Sequence, residues 1–588
     1  MNIKSTRDIH RYFATYFNAG ELEPYIYILS KKMSEGHICI NIENTKHADF
    51  GEYYPGTVTQ PKHLHLHHLV SDGTQNKPFV INNGNLYMQR YYKYESNIIS
   101  SIQSIISYEN EVLEKRMQDL TANKYIIKQL FPELLASRTD WQMLATLSAI
   151  INQFSIITGG PGTGKTTTVS RILTMLLTLT PDMHIALAAP TGKAANRMAE
   201  SLKRVQYNNP VIREKINNLI PSTIHRLLGS QKNSIYFKHD TGRPLPYDLV
   251  IIDESSMIDI ALFSKLLSAI QPSTKVILLG DKDQLASVEA GSIFGDLCNA
   301  EAHINIFSTQ RARWFGQFTQ MPLPVSEHIN NTTILFEHVI ALQYSHRFST
   351  EKGIGQLSNA IISSNKDAIQ LFFNNEDDEV FIDETYSEDI FNRFLDGYLD
   401  YIQETDINTA FNKLNRLKVL CAVREGNEGI VNINGRIEKY LQSRKWIHRN
   451  TEFYENRPVI ITKNNYELGL FNGDTGIVKR DEHGNLKVWF ESSEGSLISF
   501  QPSSIEAAET VYAMTIHKSQ GSEFDNIMIV MPKNEDTALL TRELLYTAVT
   551  RARNRVIIQG SHNVILESAE KKVERGSGLA GRMRNSID

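Results

Sequence analysis

Between residues 154 and 298, short apolar runs alternate with stretches in which apolar residues recur every three or four positions. The runs are FSIIT (154–158), HIALAAPT (184–191), DLVIIDE (248–254) and KVILLGD (275–281). A run of four to eight apolar residues bounded by polar ones reads as a strand buried on both faces. The stretch after the first run places Val169, Ile172, Leu173, Leu176 and Leu177 on one helical stripe. Strands alternating with amphipathic helices predict a parallel sheet covered on both sides, with its ligand loops at the carboxyl ends of the strands. The pattern resumes with LKVLCAV (417–423), NIMIVM (526–531) and RVIIQG (555–560), which predicts a second α/β unit. Inside that unit, RPVIIT, TGIVKR, LKVWFE and LISFQP are short strands separated by turn residues such as DEHGN. They predict a small antiparallel barrel at about 457–504.

Elsewhere the pattern is weaker. Residues 302–331 read as an irregular insertion, and residues 1–110 as a small separate domain. HLHLHH (63–68) is expected to be a partly exposed strand face, with His63, His65 and His67 on one side, rather than a metal site. NEDDEVFIDE (375–384) reads as a solvated acidic surface. SIYFKHDTGRPLPYDL (234–249) is compatible with a hairpin, and with a strand-separating pin only as the less favoured reading.

Composition narrows the class. With 588 residues, 41% hydrophobic and 22% charged, the chain is long enough for several cores. Its net charge of −5 rules out a global attraction to nucleic acid, so any such binding requires a local basic surface. Cys39, Cys298 and Cys421 lie far apart and form no metal or redox spacing, which predicts buried thiols. The start MNIKSTRDIHRYF lacks the apolar core of a signal peptide, and no run of about 18 apolar residues is present. A cytoplasmic protein with no membrane partner is expected.

The chemistry centres on ITGGPGTGKTTT (157–168). Gly159, Gly160, Pro161, Gly162, Thr163, Gly164, Lys165, Thr166 and Thr167 form a phosphate loop between a strand and a helix. Its backbone N–H groups and Lys165 are expected to hold the phosphates of ATP, with the Thr166 hydroxyl on Mg²⁺. Asp253 and Glu254 end an apolar strand, where one carboxylate can hold the metal and the other orient the attacking water. Gln284, after the next strand, is placed to sense the γ-phosphate. Arg347 and Arg551 lie near the start and end of the second unit, suited to reach the γ-phosphate across a cleft and stabilise transition-state charge.

The blocks DWQMLA, ITGGPGTGKTTT, LAAPTGKAANRM, STIHRLLG, VIIDESSMID, LLGDKDQLASVEAGSIFGD, YSHRF, GLFNGDTGIV, MTIHKSQGSEFD and LLYTAVTRAR span about 140–553. In this order they resemble the superfamily 1 helicases, most closely the RecD family. The resemblance implies a P-loop NTPase with two tandem RecA-like domains at 111–340 and 341–588, an SH3-like barrel inserted in the second, and a partner-docking domain at 1–110. It implies that Gln142 reads adenine and that Glu523 contacts the nucleotide. It also implies that Thr191, Lys193, Thr223, His225, Thr515, His517 and Ser519 line a single-strand DNA track. Arg197, Lys203 and Arg204, on the helix after Pro190, are read as a solvated face.

By resemblance, the activity is ATP-dependent 5′–3′ DNA unwinding. The setting is a bacterial, nucleoid-associated heterotrimer with RecB-like and RecC-like subunits, acting on DNA ends in double-strand break repair and in degradation of linear DNA. Nuclease activity is expected in a partner, and the short N-terminal region favours the complex-bound subunit. Three rivals stand beside this reading: a nucleotide switch that only assembles the complex, a small-molecule kinase, and a stand-alone helicase. The first has no use for the TIHRLLG and TIHKSQGSEF blocks, and the second none for a second α/β unit.

Overall fold

The computed structural model describes residues 8–54, 63–132, 138–231, 234–319, 321–326, 333–349, 351–465, 467–491, 496–533 and 539–584. Its strands, in chain order, begin with β1 (Cys39–Asn41), β2 (Val70–Ser71), β3 (Phe79–Asn82) and β4 (Asn85–Met88). They continue with β5 (Phe154–Gly159), β6 (Ile185–Ala189), β7 (Ser222–Thr223), β8 (Leu249–Ile252), β9 (Lys275–Gly280) and β10 (Val339–Leu342).

β5 is buried along its whole length, its small polar residues Ser155 and Thr158 included, as a central strand covered on both faces requires. It lies inside a parallel sheet of order β10-β5-β9-β8-β6-β7. Strand alternation divides the core. Ile157, Leu187, Ile251 and Ile277 face one layer of helices, and Phe154, Ile156, Val250 and Ile252 face the other. The sheet does not end at residue 340, because β10 pairs along Leu342 with Gly159 and carries the first unit to that residue.

The second unit contains β11 (Val380–Asp383), β12 (Leu417–Cys421), β13 (Pro458–Ile461), β14 (Thr475–Arg480), β15 (Leu486–Glu491) and β16 (Leu497–Phe500). β17 (Ala508–Thr510), β18 (Ala513–Thr515), β19 (Phe524–Val530) and β20 (Ala552–Gln559) complete it. A parallel sheet has the order β11-β20-β19-β12-β18, and β13–β17 form an antiparallel sheet of order β16-β15-β14-β13-β17. The inserted sheet therefore runs to Thr510, beyond residue 504.

Three expectations need correction. The acidic stretch 375–384 is not wholly solvated: β11 lies at the sheet edge with Val380, Ile382 and Asp383 buried. Asp383 is satisfied by the Ser387 N–H and the Gln559 amide, so the acid caps a loop rather than facing water. Leu64–Leu66 is a 3₁₀ turn, so the histidines around it do not alternate across a strand, and the described residues hold no metal-type cluster. The 302–331 region contains the helix Thr309–Phe315, whose Trp314 and Phe315 enter the first core.

The N-terminal region builds a sheet of order β1-β4-β3-β2 but is not free-standing. The 34-residue helix Gln89–Ala122 runs on from it, placing Ile98, Ile102 and Ile105 at helical spacing against Phe263 and Leu266 of the first unit. The segment after the helix His562–Glu570 also returns from the second unit. Gly576 accepts from Ile38 N–H at 3.0 Å, Arg582 pairs with the buried Glu95 at 3.2 Å, and Leu579 and Met583 are buried in the first unit. No helix among the described residues is long and apolar enough to cross a membrane.

This return packing generates a stability prediction. Leu579 is fully buried, so Leu579→Ala should cost about 2–5 kcal/mol in denaturant unfolding of the first unit, the range for truncating a core leucine. A change below about 0.5 kcal/mol, typical of exposed positions, would show that the segment does not pack there.

Candidate nucleotide and nucleic-acid sites

The phosphate loop leaves β5 and enters the helix Lys165–Leu179. Gly162 and Gly164 adopt φ of 78° and 85°, which only glycine adopts without strain. Added Cβ atoms would also meet the Arg347 Cβ at 2.4 Å and the Gln142 Nε2 at 2.2 Å. Both glycines are thus required by backbone shape and by neighbours that are themselves candidate site residues.

A cleft of about 790 Å³ opens between the two parallel sheets. It is lined by Pro161 through Thr167, Asp253, Glu254, Gln284, Arg347, Glu523 and Arg551, with Gln142 at its end. Lys165 Nζ folds back to donate to the carbonyls of Gly159 and Gly160, the latter at 3.2 Å. Thr163 closes the loop with a 2.8 Å bond to the Gly160 carbonyl. Asp253 accepts from the Glu254 N–H at 2.8 Å, and Glu254 holds a left-handed φ of 51°. Burial, then Glu254, push the Asp253 carboxyl up to about 6, with Lys165 opposing.

The opposite wall carries the arginines. Arg551 is buried and donates to Gln284 Oε1 at 2.7 Å and to the Ser522 carbonyl at 3.2 Å. The Gln284 amide in turn donates to Asp281 at 3.0 Å, which also accepts from the Tyr546 hydroxyl at 3.0 Å. Arg347 pairs with Glu523 at 2.7 Å. Burial pushes the Glu523 carboxyl up, but Arg197 and Arg347 outweigh it and hold the group at about 2.

Gln142 lies between this cleft and a smaller cavity of about 280 Å³ walled by Phe131, Arg138, Trp141, Tyr344 and His346. Its Nε2 donates to the Thr163 carbonyl at 3.0 Å, and its Oε1 accepts from Arg171 at 2.7 Å. Arg171 has no motif of its own, so the sequence did not single it out.

The candidate DNA residues occupy the carboxyl ends of strands on both sheets. Thr191 follows β6 and caps the helix Gly192–Lys203. Thr223 ends β7 and caps Ile224–Leu228, and Thr515 ends β18. Lys193 is within electrostatic reach of Glu491 in β15 and of Asp474 just before β14, and burial, then Arg197, pull its ammonium down to about 8. Arg226 lies 4.6 Å over the Phe471 ring, and His225 meets Phe237 edge-on. His517 begins the 3₁₀ turn His517–Ser519. Ser519 corrects the expected track, because it is fully buried and its hydroxyl donates to the Ile516 carbonyl at 2.7 Å. It shapes the turn and presents no surface to a strand of DNA. Arg197 corrects the reading of its helix as solvated, since it crosses the cleft to Glu523.

Comparison with known proteins then decides the family. Residues 142–290 match the AAA domain model, 510–559 the UvrD-like helicase C-terminal domain, and 433–490 the ATP-dependent RecD-like DNA helicase SH3 domain. The RecBCD enzyme subunit RecD of Haemophilus influenzae is 34% identical over 539 residues, covering 85% of this chain and 80% of that one. The chain belongs to the RecD family. It is therefore an ATP-dependent superfamily 1 DNA helicase. The ATP-dependent RecD2 DNA helicase of Deinococcus radiodurans is 29% identical, covering 73% of this chain but 50% of its own length. A crystal structure of Bacteroides Pif1 bound to ssDNA is 18% identical, with a TM-score of 0.39 over 74% of this chain and 94% of that one.

The Asp253 environment generates a pH prediction. A carboxyl raised to about 6 is protonated below that value, so kcat/KM for ATP should fall as pH drops through about 6. An acid limb appearing only near the ordinary aspartate value of about 4 would contradict the burial of this group.

Proposed function

We propose that this chain is the 5′–3′ motor subunit of a RecBCD-type heterotrimer, moving on single-stranded DNA from duplex ends. The observation that carries the reading is the convergence of Lys165 and Asp253 from one sheet with Arg551 and Glu523 from the other around a single cleft. ATP bound there bridges both units, and hydrolysis removes the bridge. Lys165 leaves its loop carbonyls for phosphate oxygens, Glu254 orients the attacking water, and Arg347 and Arg551 neutralise charge developing on the γ-phosphoryl group. Gln142 reads the base, and Gln284 passes the state of the phosphate to Arg551.

The Thr166 hydroxyl and the Asp253 carboxylate form an all-oxygen pair that suits Mg²⁺, which prefers few protein ligands beside water and phosphate. When bound, such an ion would supply positive charge to offset that of the phosphate oxygens. Thr191, Lys193, Thr223 and His225 grip the strand from one unit, and Thr515 and His517 from the other. Opening and closing of the cleft shifts these grips relative to each other. Short hydroxyls and a lysine suit phosphate contact without base reading.

The domains proposed are 1–110 for docking, 111–340 with β10 completing its sheet, and 341–588 carrying the inserted small sheet. RecB-like and RecC-like partners, DNA ends, double-strand break repair by recombination and degradation of linear DNA follow from the relatives' names and the family resemblance. A bacterial cytoplasmic setting fits the same assignment.

Lys165→Gln should fold normally and lose ATP hydrolysis by at least about 100-fold, since it removes the phosphate cation. Steady-state hydrolysis with and without oligo(dT) checks this, and near-normal turnover would sink the site assignment. Altering Thr515 and His517 should lower DNA stimulation more than nucleotide binding. Equal loss of both would count against their role in coupling.

A further inference from the structure

Arg197 has no role in the ATP or DNA sites described above, yet its side chain ties helix Gly192–Lys203 to the far wall of the cleft. Its Nη2 lies 2.9 Å from Glu523 Oε2, and its Nη1 donates to the Gly521 carbonyl at 2.5 Å. The helix meets that wall closely enough that a Cβ on Gly521 would sit 3.5 Å from the Ala194 Cβ. Arg197 also lines the cleft beside Lys165 and Asp253.

Glu523 receives three guanidinium groups. Arg347 reaches Oε1 at 2.7 Å, while Arg197 and Arg553 reach Oε2 at 2.9 and 3.0 Å. Arg347 and Arg197 thus grip different oxygens of one carboxylate, which fixes the plane of that group. Another Arg347 nitrogen, Nη1, is buried and has no hydrogen-bond partner among the described residues. A buried guanidinium nitrogen without an acceptor is costly, and here it lies on a group lining the nucleotide cleft. An incoming phosphate oxygen is the acceptor that suits it.

We propose that Arg197 is a positioning residue for hydrolysis: by clamping Glu523 and the Gly521 carbonyl, it holds Arg347 at the setting from which its free nitrogen meets the γ-phosphate. This rests on the ATP-site reading above. Arg197 touches no phosphate in this scheme. It acts through Glu523, so its loss should slow turnover of bound ATP while leaving capture of ATP by Lys165 and the loop largely intact. Lysine retains one charged donor and reaches one acceptor instead of two, so it should restore part of the effect.

The experiment is steady-state ATP hydrolysis by the full chain with saturating oligo(dT), comparing wild type with Arg197→Ala, Arg197→Lys, Glu523→Gln and the Arg197→Ala/Glu523→Gln pair. Arg197→Ala should lower kcat about tenfold or more with KM for ATP changed less than about threefold, and Arg197→Lys should lie between it and wild type. The double variant should be no slower than the slower single one, as expected of residues acting through one contact. An unchanged kcat in Arg197→Ala, an equal rise in KM in its place, or fully multiplicative effects in the double variant would each overturn the proposal. Wild type insensitive to Lys165→Gln would overturn the ATP-site reading instead. Arg197 is about one-third exposed on its side chain, so a folded variant is expected. Matching circular dichroism melts for alanine and lysine variants exclude unfolding as the cause of a lowered kcat.

Discussion

Charge taken out of water must find a partner, and the cleft between the two parallel sheets is where this chain buries most of its functional charge. Asp253 lies on one wall with Lys165 for its counter-charge, and Glu523 lies on the other among Arg197, Arg347 and Arg553. Removing Glu523 would leave Arg347 and Arg197 without their shared carboxylate, whereas removing one guanidinium leaves that carboxylate with two others. The cleft in this state is therefore closed electrically by its own side chains. In the proposed site, a nucleoside triphosphate enters by exchanging acceptors: Lys165 gives up carbonyls of its own loop, and Arg347 gains a partner for a nitrogen that has none among the described residues.

The same seam ties chemistry to distant parts of the molecule. Gln284 and Leu285 bond across to Arg551, Thr547 and Gln520 of the second unit. A few residues on, the same loop is held from the other side: Arg575 donates to the Glu289 and Gly291 carbonyls, and Gly291 N–H donates to Gly36. A change in the cleft thus meets contacts from the N-terminal region and the returning C-terminal segment within one loop. Linkage of this kind works through packed elements with discrete arrangements.

Much of this was legible in the sequence, for physical reasons. Strands buried on both faces are nearly pure apolar runs, so β5, β6, β8, β9, β12, β19 and β20 could be read directly. The phosphate loop was legible because its chemistry fixes residue types at fixed spacing. The edge strand β11 was hidden because it is only four residues long, ends in the acid Asp383 and follows a run of acidic loop residues. β10 lies past an irregular region, so its membership of the first sheet depends on a pairing that no local pattern records. Arg197 was misread because helical spacing places it with charged neighbours, and its partner Glu523 is more than 300 residues away. Ser519 has the residue type of a phosphate contact, but the tight turn after β18 takes its hydroxyl.

The central claim is that nucleotide and DNA together draw the two sheets closer across this cleft. The most direct test is a spin-label distance between Lys203→Cys, exposed on the first unit, and Asn554→Cys, exposed on the second. The native Cys39, Cys298 and Cys421 are all buried, so the introduced thiols can be labelled selectively. The account predicts a shorter, narrower distance distribution with a non-hydrolysable ATP analogue and oligo(dT), reversed when the analogue is replaced by ADP. A distribution that stays the same in all three conditions would contradict it.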